Sequence, residues 1–421
     1  MNRSIYSALL YLLLPLLVLY LAFRSIKSPD YRRRWGERFG LTKLKHSDLL
    51  IHSVSMGETL AAIPLIKAIQ QRYPQMSITV TTTSPTGSAE VVKAFGTSVQ
   101  HCYLPFDISI CVGRFLRQVS PKQIVIMETE LWPNLIHQAS SQGMRLMLAN
   151  ARLSDKSARQ YSKRMKLIQP MLQSLDIIAA QSQQTADRFI ELGVSPSKIN
   201  VCGSLKFDLS IPEDKITQAK ALRQQWREQS APIWVAGSVH PGEFDAIIEA
   251  HKRLLAYKAD ALLVIVPRHP EQFNAAAEKI VASGLSLARR SQCDEVDSST
   301  QVLLGDTMGE LLTFYGAADQ AFIGGTLINN GGHNPLEPAA FGLPVYVGPN
   351  HWDFAEITCL LQDAGALKVI ASADELAEEL IAKFDDKLIY QTVSEASLRV
   401  VDTNKGALKQ QCELVCQLID S

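Results

Sequence analysis

Short apolar runs, each broken by glycine or a polar turn and followed by a stretch of helical length, recur along nearly the whole chain. That alternation leaves few folds open. Apolar runs without polar alternation are strands buried on both faces, which calls for a parallel sheet covered by helices. In the front half, residues 49–55, 77–82, 123–127, 145–149 and 177–180 read as strands, with helices over 58–73, 88–95, 132–142 and 185–192 among them. A second series runs through 233–236, 261–266, 301–304, 320–323 and 344–347, and the tail from 373 reads as helical. Between the two series, the charge-rich segment 208–230 carries no strand pattern and reads as a linker. At 421 residues the chain is long for one core and natural for two domains with a short appendage. The expectation is an α/β protein of two Rossmann-like doubly wound domains, over 31–207 and 231–421, with residues 1–30 set apart.

Residues 4–23 are uncharged and mostly apolar, bounded by Arg3 and Arg24. This is about the 20 residues that a membrane-spanning helix needs. A signal peptide is the rival reading, but the run exceeds a usual apolar core and Phe23-Arg24 is a poor cleavage site. Arg24, Lys27, Arg32, Arg33, Arg34 and Arg38 follow the run, against only Arg3 before it, so the positive-inside rule puts the body in the cytoplasm. With Tyr31, Trp35 and Phe39 interleaved, the cluster also suits an anionic membrane surface. Over the whole chain 42 basic residues balance 42 acidic ones, which argues against a nucleic-acid partner. The seven cysteines are scattered and lack C-x-x-C, as in a reduced cytosolic body, and Cys412 and Cys416 share a helix face as small apolar filler.

The richest stretch for chemistry is 321–350. An apolar strand end breaks into Gly324 and Gly325, then Asn329, Asn330, Gly331 and Gly332. Such a loop brings backbone N–H groups close to a ligand. Asn334-Pro335-Leu336-Glu337-Pro338 then reads as a helix start, with Asn at the cap and proline where no helical N–H is needed. A glycine loop entering a helix is a ready phosphate site. Asn334 and Glu337 are equally a variant capping box, which needs no ligand, although capping alone does not call for the glycines before it.

Other candidates sit at strand ends, where open α/β sheets bind ligands. Ser55-Met56-Gly57-Glu58 is a capping box letter for letter, and also a carboxylate at the end of the first strand. A helix N-terminus lowers a carboxylate's pKa, so a base there needs a second carboxylate or an apolar wall. Glu128 and Glu130 of Met127-Glu128-Thr129-Glu130 are in place to supply that neighbour, with surface charge the plainer reading of Glu130 and a structural hydrogen bond that of Glu128. Lys206 of Gly203-Ser204-Leu205-Lys206 is either solvated or opposite an anion. In Pro267-Arg268-His269-Pro270 the prolines fix the backbone so that the Arg268 fork suits an oxyanion, whereas His269 reads as structural and His240 as a lesser contact. Gly305 to Glu310 ends a strand and opens a helix. With no D-x-D, no H-E-x-x-H and no Cys/His ligand spacing, no metal site is expected.

Taken together, HSVSMGETLAAIPL, METELWPN, NARLS, GSLKFD, AGSVHPGEF, VPRHPEQF, LLGDTMGEL and GGTLINNGGHNPLEPAAFGLPV resemble the 3-deoxy-D-manno-octulosonic acid (Kdo) transferases of Gram-negative lipopolysaccharide synthesis. The resemblance runs from the apolar segment to near the C-terminus and implies the GT-B arrangement, two Rossmann-like domains facing a cleft. It implies an inverting, metal-independent glycosyltransferase without a cofactor, single-pass in the inner membrane with its body on the cytoplasmic face. That enzyme would move Kdo from CMP-Kdo to the lipid A precursor lipid IVA, two units in succession. Carried over by motif, Glu58 is the catalytic base, and Glu128 and Lys206 stabilise the transition state. Pro267 and Arg268, then Met308, Gly309 and Glu310, then Asn334, Pro335, Leu336 and Glu337 hold CMP. The alternatives are a membrane-tethered nucleotide-sugar epimerase or hydrolase, which needs no lipid acceptor, and a non-catalytic lipid-binding protein indifferent to Glu58→Ala.

Overall fold

The computed structural model describes residues 1–27, 29–209, 211–226 and 231–420. The chain forms two compact units, Met1–Asp208 with Lys405–Ser421, and Leu209–Asn404. In the first, β1 (Leu49–His52), β2 (Ile78–Thr82), β3 (Gln100–Tyr103), β4 (Gln123–Met127), β5 (Arg145–Ala151), β6 (Ile177–Ala180) and β7 (Ile199–Val201) pair in parallel, in the order β3-β2-β1-β4-β5-β6-β7. The sheet is buried on both faces because its inner strands carry apolar residues on both sides of the pleat. Leu50, Ile124, Ile126, Leu146 and Leu148 point to one helix layer, and Leu49, Ile51, Val125, Met127 and Met147 to the other.

The second unit repeats the plan. Its strands β8 (Ile233–Val239), β9 (Leu262–Pro267), β10 (Leu287–Arg289), β11 (Val302–Leu304), β12 (Gln320–Ile323), β13 (Val345–Val347) and β14 (Leu367–Val369) lie in the order β10-β11-β9-β8-β12-β13-β14, again parallel. Strand order reverses between β1 and β4 in one sheet and between β8 and β12 in the other. Those reversals open the crevices where doubly wound sheets take ligands.

Two expected boundaries shift. Residues 213–226 of the expected linker form a helix, Glu213–Trp226, that belongs to the second unit, while residues 210 and 227–230 lie outside the described residues. Ala219, Leu222 and Trp226 are buried, Trp226 lies against Phe314 with ring centroids 5.9 Å apart, and Arg223 Nη1 donates to Asp319 at 2.9 Å. The last helix, Ala407–Asp420, returns to the first unit instead of closing the second. There Leu414, Val415 and Leu418 pack in the layer that holds Leu49 and Ile66.

The N-terminal helix, Arg3–Lys27, is long and apolar enough to cross a membrane. It does not stand away from the first unit. Tyr6, Leu10, Leu14, Leu17, Leu21 and Ser25, spaced three or four apart, form its less exposed stripe, and Leu21 is only 2 % exposed. Polar rivets accompany the stripe. Tyr6 Oη donates to Asp107 at 3.0 Å, Ser7 Oγ donates to Asn134 at 2.8 Å, and Arg32 Nε donates to the Ser25 carbonyl at 2.8 Å. Asp107 itself accepts from Asn134 N–H and Leu135 N–H at the start of the helix Pro133–Ser141, so the rivet is part of the folded unit. Leu9, Leu12, Leu13, Leu16, Leu19 and Phe23 remain exposed on the outer side.

Candidate active site

In the first unit, Ser55 caps the helix Met56–Arg72, accepting from Glu58 N–H and donating its hydroxyl to Glu58 Oε1 at 2.8 Å. The capping box forms, but the carboxylate goes further and takes Val54 N–H on Oε2 at 2.7 Å. These bonds hold Glu58 just past the end of β1, beside the strand-order reversal, with 8 % of its surface exposed. Burial raises its pKa above the ordinary carboxylate value. The bonds from Val54 and Ser55 pull it down, and the charge of Glu128 adds to the rise.

Glu128 follows β4 in the left-handed backbone region, φ 53°. Its N–H donates to the Ala149 carbonyl at 2.9 Å, and its carboxylate lies 3.6 Å from Lys206 Nζ and 3.7 Å from Arg152 Nη1. A third carboxylate joins them. Glu130 is half-buried rather than a surface charge, and burial with the charges of Glu58 and Glu128 pushes its pKa up to about 7. Arg152 and Glu130 are the residues that single-residue reasoning undervalued; their signal was their place just after β5 and β4.

Lys206 owes its position to a buried scaffold. Asn150, at φ 51° and fully buried, accepts Leu205 N–H on Oδ1 at 3.0 Å and donates its own N–H to Gln411 Oε1 at 2.8 Å. Gln411 Nε2 in turn donates to the Gly203 carbonyl. The returning C-terminal helix therefore fixes the turn that presents Lys206 to Glu128.

In the second unit the glycine loop differs from expectation. Gly325, Thr326 and Leu327 do not offer their N–H groups outward. All three donate to the carboxylate of Glu243, at 2.7, 3.0 and 3.0 Å, and His240 N–H adds a fourth bond at 2.9 Å. A fully buried side chain thus fills the anion nest that the glycines make. Gly324 has a separate reason to be glycine: a Cβ would come within 2.3 Å of the Ser238 carbonyl oxygen at the bulge in β8. The expected helix from Asn334 is also shorter, a single turn over Leu336–Ala339. Pro335 cannot donate an N–H, and Asn334 Oδ1 accepts Leu336 N–H at 3.1 Å.

What the loop presents is side chains. Burial pushes the Glu337 pKa up to about 7, against the pull of Asn334 and Arg268. Arg268, past the end of β9, is fixed by its N–H to the Val239 carbonyl at 2.9 Å. His240 and His333 meet through their Nε2 atoms at 2.8 Å, with the His269 ring edge-on to His240 at 5.5 Å. Past β11, Met308 is 64 % exposed, Gly309 has φ 83°, and Glu310 takes Arg290 Nη2 at 2.9 Å and the Thr307 hydroxyl. The structure thus gathers Glu58, Glu128 and Lys206 in the first unit. In the second it brings Arg268 together with Asn334 and Glu337.

The family described as 3-deoxy-D-manno-octulosonic-acid transferase matches residues 33–209. The 3-deoxy-D-manno-octulosonic acid transferase of Haemophilus influenzae is 41 % identical over 420 residues, covering 99 % of this chain and 98 % of its own. The chain belongs to the Kdo transferase family. The Bordetella pertussis Kdo transferase is 33 % identical over 97 % of this chain and 98 % of its own. The UDP-GlcNAc 2-epimerase of Neisseria meningitidis shares the fold, with a TM-score of 0.61 at 14 % identity over 88 % of this chain and 99 % of that one. This Kdo transferase is thus a glycosyltransferase of lipopolysaccharide biosynthesis with a GT-B-type α/β fold.

Proposed function

We propose that this chain transfers Kdo from CMP-Kdo to the lipid A precursor lipid IVA, twice in succession, with inversion at the anomeric carbon. The observation that carries the reading is Glu58, a nearly buried carboxylate whose raised pKa suits proton abstraction from a sugar hydroxyl. In the proposed step the acceptor hydroxyl gives its proton to Glu58, and its oxygen attacks the anomeric carbon from the face opposite the phosphate. The bond from that carbon to the phosphate oxygen breaks, and CMP leaves with the electron pair. Lys206, paired with Glu128, supports the charge that develops. Pro267 and Arg268, Met308 to Glu310, and Asn334 to Glu337 hold CMP in this reading, with the Arg268 guanidinium suited to its phosphate. Charged side chains serve the leaving phosphate without a metal ion.

The helix Arg3–Lys27 is the anchor, with the body on the cytoplasmic face of the inner membrane. A helix of this length rises roughly 37 Å. Were it to cross the bilayer, Asp107 and Asn134 would have to follow its first turn to the far side. An anchor lying along the membrane surface, outer apolar face in lipid, keeps every rivet and replaces the single crossing expected from length alone. The test of the reaction is mass spectrometry of lipid IVA incubated with the protein, CMP-Kdo and a chelator. Mass added for two Kdo residues is the expected result; an unchanged acceptor with folded protein sinks the proposal, and a single addition corrects the count.

A further inference from the structure

Around His240 the second unit holds an arrangement that glycosyl transfer as written above does not use. The His240 and His333 nitrogens are 2.8 Å apart while the ring centroids are 5.1 Å apart and the planes differ by 7°, so the rings meet head-on, edge to edge. Asn330 Nδ2 also reaches His240 Nε2, at 3.2 Å. An amide nitrogen only donates, so His240 Nε2 is the acceptor and His333 Nε2 the donor, which leaves one hydrogen shared by two neutral rings. His240 then carries its own hydrogen on Nδ1, and His333 Nδ1 keeps a lone pair.

We infer that this imidazole pair is a proton-coupled anion subsite, which takes up a proton when a carboxylate or phosphate docks beside Arg268. The inference rests on the donor reading above, since the anion is a group of the sugar nucleotide. Groups facing the pair come from two elements, Arg268 and His269 after β9 and Glu243 at the start of the helix Phe244–Tyr257. Glu243 is no free counter-ion, because four backbone N–H groups already occupy it. Burial first, then the repulsion a second charge on His240 would bring, then Arg268 and His269, hold His333 down to about 4; burial also lowers His240. Both rings are neutral at neutral pH. An anion docked there reverses the local field, and the pair then holds a proton with the lone pair of His333 Nδ1 as its seat.

Linkage sets the sign. The pair's pKa is low in the free protein and higher in the complex, so affinity rises as pH falls through the bound value and levels off below the free value. At most one proton enters, so the affinity changes by no more than tenfold per pH unit. Calorimetric titration at neutral pH, in buffers of different ionisation enthalpy, reads the protons taken up. CMP alone and CMP with free Kdo are the two probes. Uptake with CMP alone assigns the anion as phosphate; uptake only when Kdo is present assigns it as the sugar carboxylate. His240→Gln and His333→Gln keep hydrogen-bonding groups that do not titrate, and each is expected to abolish uptake while keeping affinity at pH 8 within about threefold. Should His240→Gln fail to fold, the half-exposed loop variant His333→Gln carries the test. Binding without proton uptake by the unaltered protein overturns the subsite, as does uptake that persists in the folded variants. An absence of any binding heat overturns the donor reading itself and the subsite with it.

Discussion

A carboxylate at a helix N-terminus is pulled toward ionisation by the helix and away from it by burial, and Glu58 shows which effect wins. Burial does, with Glu128 adding to it. Glu58→Gln keeps the acceptor of the Val54 bond, so the fold should survive while transfer falls about 10²- to 10⁴-fold, the usual worth of a general base. Single-turnover rates, with circular dichroism as the control, decide it. Because a base works ionised, the rate should climb with pH through an inflection above the ordinary carboxylate value. Lys206→Ala removes the cation beside Glu128 and should move that inflection higher; an unmoved profile would separate Lys206 from the carboxylates. Glu130 supplies a stability test. Its folded pKa, about 7, lies above its unfolded value, so acid favours the folded state and stability is lost as pH rises through 7. Glu130→Gln should raise the melting temperature at pH 8, corresponding to roughly 1–3 kcal/mol, and leave it nearly unchanged at pH 5.

At the scale of elements, the strands that could be read from the sequence were those buried on both faces. β1, β2, β4, β5 and β6 are mostly apolar or β-branched, and so are β8, β9, β11, β12 and β13. The four that were not foreseen, β3, β7, β10 and β14, are the outer strands of the two sheets. An edge strand is short and carries polar or charged residues, as Gln100 and His101 do in β3, Arg289 in β10 and Lys368 in β14, so its apolar signal is diluted. The same logic covers the sites. Glu58 was legible because a strand end, a glycine and a cap fall within a few residues. Gln411 was not, because its partner Asn150 lies 261 positions away. Glu243 reads as an ordinary first-turn acid until the loop 82 positions on folds over it. The N-terminal apolar run and its flanking charges gave a helix, its length and an expected direction, but not the contacts that pin its first turns to Asp107 and Asn134. A cysteine in place of Asn2, in a background lacking the exposed Cys293 and Cys359 and the partly exposed Cys412, separates the two anchoring modes. Membrane-impermeant maleimide should miss it in intact spheroplasts and label it in inverted inner-membrane vesicles. Labelling in spheroplasts would put the N-terminus across the membrane and break the Tyr6–Asp107 and Ser7–Asn134 rivets.

For the whole molecule, the return of the chain matters more than its length. The second unit ends at Asn404, and the following residues re-enter the first unit, where Asp208 receives Gly406 N–H at 2.7 Å and Leu408 N–H at 2.6 Å. The first unit is therefore completed by segments about 200 positions apart, and its candidate cation, Lys206, depends on the late one through Gln411, Asn150 and Gly203. Burial of Leu414, Val415 and Leu418 is worth about 1.5–3 kcal/mol each, together comparable to the net stability of a domain. A chain stopped after Asn404 should keep a folded second unit, whose contacts are all retained, and lose the first. Limited proteolysis should then leave a resistant fragment starting near Leu209, and thermal unfolding should show the first unit's transition lowered or absent. Gln411→Ala is the finer version of the same cut. It spares the apolar packing but strands Asn150 N–H and the Gly203 carbonyl, at about 1–3 kcal/mol for each buried group left unpaired. Transfer should fall with it by loosening the Lys206 turn, and the loss should be smaller in Gln411→Glu, which still offers Asn150 an acceptor. If Gln411→Ala lowers the melting temperature and leaves turnover intact, the returning helix is structural support alone, and Lys206 holds its place without it.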